Sequence, residues 1–103
     1  MPLRQNTTKQ RFMKTINAVY VNILDNCVTL TDNASAGDTV SYLCGGVERS
    51  VATSACIPIW HKMAIESVEE GGSIYKYGAE IGVALERIGP GEHIHIHNMG
   101  SRR

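Results

Sequence analysis

Gly89-Pro90-Gly91-Glu92-His93-Ile94-His95-Ile96-His97-Asn98 reads as a turn followed by strict alternation. Gly-Pro-Gly punctuates the chain. The residues after it repeat with a period of two, the period of a strand and not of a helix. On a regular strand, Ile94 and Ile96 face a core while His93, His95 and His97 share the other face. Imidazoles titrate near neutrality and are common metal ligands, so this face is the best functional pointer in the chain. A strand rises about 3.3 Å per residue, which starts His93 and His95 roughly 6.6 Å apart and His93 and His97 about 13 Å apart. Two neighbouring imidazoles can converge on one ion, but all three cannot unless a bulge bends the strand. A metal site here would therefore use two of them, assigned as His95 and His97, with further ligands from elsewhere. The plain alternatives are an exposed polar edge or an interface between chains.

Upstream, the pattern is short strands between turns: Ile16–Leu24, Cys27–Thr31, Thr39–Leu43, Val47–Ala52, Lys62–Ile65, Ser73–Tyr77 and Ile81–Leu85. Asp25-Asn26 reads as a turn between the first two. Turn signals about every ten residues predict an all-β domain, barrel-like or sandwich-like. At most a short helix is expected, near Ala34–Ala36 or Ser54–Ile57. One grammar occurs three times, in Asn33–Val40, Ser67–Ile74 and Arg87–Ile94: a polar or small pair, a glycine, a polar residue, then a strand. The glycine is expected to supply a positive φ.

The chain has 103 residues and 43% hydrophobic content, enough for one domain with one core. It has no apolar run near the ~20 residues of a membrane span and no signal-peptide pattern. Cys27, Cys44 and Cys56 lack CxxC spacing, which points to buried thiols and a reducing, cytoplasmic setting. The zero net charge hides an asymmetry. Residues 1–14 hold four basic side chains and no acid, whereas residues 15–101 carry a net charge of −6 with histidines neutral. An acidic body argues against a nucleic-acid face. The expected organisation is a basic, disordered extension over 1–14, with order beginning near Met13. An ordered domain follows over 15–100, then a tail over 101–103.

Three segments together resemble a known family. Ile57-Pro58-Ile59-Trp60-His61-Lys62-Met63-Ala64-Ile65, Ile74-Tyr75-Lys76-Tyr77-Gly78-Ala79-Glu80-Ile81-Gly82 and Gly91-Glu92-His93-Ile94-His95-Ile96-His97-Asn98 are similar to the SAF-type domain of altronate and galactarate dehydratases. That family includes the small subunit of sulfolactate sulfo-lyase. Each motif is weak alone, but three in order are specific. The resemblance spans roughly 15–100 and implies a small, β-clip-like, barrel-like all-β fold. It further implies one part of an enzyme that removes water from a sugar acid, or sulfite from sulfolactate, often with a divalent metal such as iron or manganese. A large catalytic subunit would complete the site, leaving this chain inactive alone. The sequence departs from the family at Trp60, where glycine is usual, and at Gly72, where an acid is common.

Dehydration of a hydroxy acid requires removal of a proton beside a carboxylate, with the developing enediolate stabilised by cations or a metal. Imidazoles suit the proton transfer and lysines the carboxylate. The expected catalytic residues are His61, His95 and His97. The expected substrate-binding residues are Lys62, Lys76, His93 and Asn98, although Asn98 as a strand terminator is the commoner role. Adjacent strand residues face opposite ways, so His61 is expected to point into the site and Lys62 away from it. Two other readings remain: a stand-alone module binding a carboxylated sugar or a metal, and a homo-oligomerisation domain with the histidines at its interface.

Overall fold

The computed structural model describes residues 13–101. They form nine strands: β1 (Thr15–Val19), β2 (Cys27–Leu30), β3 (Thr39–Cys44), β4 (Val47–Ala52), β5 (Lys62–Ala64), β6 (Ser73–Lys76), β7 (Ala79–Ala84), β8 (His93–Ile94) and β9 (Met99–Gly100). No helix occurs among the described residues, as expected of an all-β chain, and so none is long and apolar enough to cross a membrane. One sheet has the order β4-β3-β1-β2-β5-β8 and the other β6-β7-β9. Residues 1–12 of the expected extension and residues 102–103 of the tail lie outside the described part. Lys14, assigned to that extension, is already tied in: its N–H donates to Asp38 Oδ1 (3.1 Å) and its carbonyl accepts from Thr39 (2.9 Å).

All four residues of β2 are buried, because this strand is a wall shared by two cores. Alternation sends Val28 and Leu30 to one side, with Met63, Ile16, Val40 and Ile57. It sends Cys27 to the other, with Ala64, Ile94, Ile74, Ala84 and Ile88. Burying each large aliphatic side chain here stabilises the fold by about 1.5–3 kcal/mol. The second sheet is held against β2 by the pair read as a simple turn. Asp25 Oδ1 accepts from Gly78 N–H (2.8 Å), while the Asn26 side chain donates to the Ser73 carbonyl and accepts from Tyr75 N–H (both 2.9 Å). Asn26 thus bonds β6 as a neighbouring strand would.

The expected strand Ile16–Leu24 is cut short at Val19, and Val21, Ile23 and Leu24 are exposed. Local bonding competes with a ladder there. Asn22 Oδ1 accepts from Leu24 N–H (2.9 Å), and the Asn22 carbonyl accepts from Asp25 N–H (2.8 Å). The short helices expected near Ala34 and Ile57 are also absent. Those two residues bridge each other, with N–H to carbonyl bonds of 2.8 and 2.9 Å.

The recurring turn is built four times, not three. Residues 35–38, 58–61, 69–72 and 89–92 each close with the fourth N–H donating to the first carbonyl, at 2.9, 3.1, 2.8 and 3.1 Å. In each, the third residue has positive φ: Gly37 (95°), Trp60 (71°), Gly71 (82°) and Gly91 (91°). In each, that third N–H also donates to a distant carbonyl at 2.8 Å, belonging to Thr53, Leu30, Ala84 and Ala64 respectively. Each turn lies just after one residue of an isolated bridge, Ala34–Ile57 or Val68–Ile88. The copy at 58–61 escapes a sequence search because tryptophan stands at its glycine position.

Candidate active site

This fourth turn delivers His61, and the turn at 89–92 delivers His93. Because β5 and β8 pair with Met63 opposite His93, His61 and His93 come to one face at the sheet edge. Beyond Ile94 the expected strand is not formed. Asn98 is buried, its amide oxygen accepts from His95 N–H (2.9 Å), and its nitrogen donates to the His93 carbonyl (2.8 Å). Asn98 N–H returns to the His95 carbonyl at 3.1 Å. The chain therefore reverses over 95–98, and Ile96 is 79% exposed instead of entering the core beside Ile94. The bend that three converging imidazoles would require is supplied by one asparagine side chain.

The consequence is a cluster of all four histidines. Ring centroids lie 5.0 Å apart for His61–His93, 4.7 Å for His61–His95, 5.4 Å for His93–His95 and 5.7 Å for His93–His97. His61 Nδ1 and His93 Nε2 share a 2.9 Å hydrogen bond, so one of the two atoms carries the proton. Burial, then the neighbouring His61, His95, His97 and Lys62, push the His93 pKa down to about 4 from 6.5. His93 is therefore a neutral base at pH 7.

Potential ligand nitrogens of His61, His93 and His95 all lie within 4.8 Å of one another. Bonds of about 2.0–2.2 Å to one ion need nitrogens roughly 3–3.6 Å apart, so the trio lies within about 1–2 Å of a ligand set. His97 is exposed and stands outside this trio. His61, expected to point towards the histidine face, lies in the cluster. Lys62 pairs across from Thr29 and Ile94, on the face away from His61 and His93, as alternation requires. Lys76 belongs to the second sheet, with its ammonium 4.9 Å above the Tyr77 ring. Neither lysine forms an ion pair among the described residues. A surface hollow of about 440 Å³ is lined by Asn17, Ser41, Tyr42 and Glu48 of β1, β3 and β4, towards the opposite end of the sheet order from β8.

The family model for the altronate/galactarate dehydratase SAF domain matches residues 16–102. The chain belongs to this family. Among its relatives, the (2R)-sulfolactate sulfo-lyase subunit alpha of Chromohalobacter salexigens is 43% identical over 47 residues, 46% of this chain and 50% of that protein. The altronate dehydratase of Bacillus subtilis is 55% identical over 38 residues, 37% of this chain and 8% of that protein. The altronate dehydratase of Escherichia coli is 30% identical over 80 residues, 78% of this chain and 15% of that protein. The SAF chain thus spans about half the length of the first relative and under a sixth of the two dehydratases. The histidine cluster lies wholly inside the matched SAF region.

Proposed function

We propose that this chain is the small, SAF-domain subunit of a cytoplasmic lyase that removes water from a sugar acid such as altronate, with a large subunit completing the site. The observation that carries this reading is the convergence of His61, His93 and His95 from two separate turns, in a domain of the dehydratase family. The relatives named subunit alpha support a separate small polypeptide, whereas in the altronate dehydratases the matched stretch is a small part of one long chain.

The three nitrogens fit a divalent metal, iron or manganese, held by His61, His93 and His95 in place of the pair His95 and His97. When bound, such an ion would stabilise negative charge on the substrate oxygens. With those three engaged, His97 is the imidazole left for proton transfer. As a neutral base it takes the proton beside the carboxylate. As imidazolium it returns a proton to the departing hydroxyl, which leaves as water. Without an ion, His61 and His95 serve the same two roles, with neutral His93 hydrogen-bonded to His61. Lys62, close enough to act on His93, adds positive potential for the substrate carboxylate, and Asn98 holds the histidine turn. Loss of sulfite from (2R)-sulfolactate begins with the same proton abstraction, and the match to sulfo-lyase alpha subunits favours it as the second reading.

The test is co-expression with the large lyase polypeptide from the same genome. Altronate and galactarate dehydration and sulfite release from sulfolactate are assayed for each chain and for the mixture. Activity in the mixture alone is expected, and an inert mixture sinks the proposal. Metal analysis with manganese or ferrous ion should give one ion per chain, lost in His61→Ala and kept in His97→Ala. The reverse pattern would return the site to His95 and His97.

A further inference from the structure

Three of the four equivalent turns place glycine at the residue with positive φ, and the fourth places Trp60 there at 71°. A side chain in the left-handed region is disfavoured relative to glycine. The indole is 64% exposed, so its own packing offsets little of this cost. Backbone strain kept at one position and relieved at its three counterparts marks a residue held for something outside the fold. Trp60 immediately precedes His61. Ile96, 79% exposed, sits between His95 and His97 on the facing turn. Two large apolar side chains therefore occupy the two turns whose imidazoles meet, and tryptophan is enriched among residues that dominate protein interfaces.

Resting on the subunit reading above, we infer that Trp60, together with Ile96 of the other turn, is the anchor by which the large lyase polypeptide docks over the histidine cluster. An apolar pocket on that polypeptide would take the indole, and its closure would exclude water from the imidazoles.

Trp60 is the only tryptophan in the chain, so 5-fluorotryptophan labelling gives a single ¹⁹F resonance. On adding the unlabelled large polypeptide, that resonance should shift and broaden. Trp60→Gly and Ile96→Ser should each weaken association at least about tenfold, as loss of an anchor does. In the isolated chain, Trp60→Gly should raise Tm by up to about 5 °C, because glycine relieves the strained turn. A fall in Tm of more than about 3 °C would show that the indole serves folding, and would overturn the inference. If a complex forms on size exclusion while the resonance stays unchanged and Trp60→Gly binds as wild type, the docking role fails and the subunit reading stands. If wild type forms no complex at all, both fail.

Discussion

Acidification tests the electrostatics of the histidine cluster directly. His93 carries a pKa of about 4 in the folded chain against 6.5 when unperturbed. Below pH 6.5 the unfolded chain binds a proton that the folded chain refuses until about pH 4, so acid favours unfolding in that window. The stability in question is fully present above pH 6.5 and is lost as the pH falls towards 4. At about 1.4 kcal/mol per unit the gap would be roughly 3 kcal/mol, and partial exposure to solvent reduces this to about 1–2 kcal/mol. The assay is urea denaturation of the metal-free chain from pH 8 to pH 4.5, for wild type and His93→Gln. Glutamine keeps a hydrogen-bonding group near His61 and does not titrate. Wild type should lose about 1–2 kcal/mol more than the variant over this range. Parallel curves would refute the reasoning, as would a His93 ring proton titrating near 6.5 by NMR.

Three further outcomes are expected. Asn98→Ala removes both side-chain bonds of the 95–98 turn. It should cost about 2–4 kcal/mol in chemical denaturation and abolish metal binding even where the chain stays folded. Gly91→Ala would place a Cβ 2.4 Å from the Ala52 carbonyl at φ +91°. A drop of at least about 2 kcal/mol is expected, and a Tm equal to wild type would contradict the close approach. Burial, opposed by Lys62 and Lys76, pushes the Cys27 thiol up to about 11, whereas Cys56 is exposed. At pH 8 a thiol-specific reagent should label Cys56 at once and Cys27 only on unfolding, as read by mass spectrometry.

The strands were largely legible because alternation and turn residues are local signals. Thr39–Leu43 and Val47–Ala52 lie within or match β3 and β4, joined by Gly45-Gly46 with φ of 60° and 81°. The overlong first strand failed for a local reason too: Asn22 and Asp25 bond backbone groups at a point where hydrophobic alternation alone continues the strand. Asp25 and Asn26 were readable as a turn, but not as the clasp on the second sheet, since their partners lie about fifty residues away. The histidine face was legible as a site, and its composition was not. A period-two reading separates His93 from His97, whereas one buried asparagine folds them into contact.

What the sequence by itself determined is the all-β class, the glycine turns, the family and the set of histidines, because each rests on residue type and near-neighbour spacing. Only the tertiary structure decided which imidazoles meet. His61 reaches His93 because β5 and β8 are paired at the sheet edge, a contact across 32 residues. The structure alone also showed that Trp60 holds a positive φ in a turn equivalent to three glycine turns, since φ at one residue and the equivalence of four distant turns become visible only once the backbone has closed on itself.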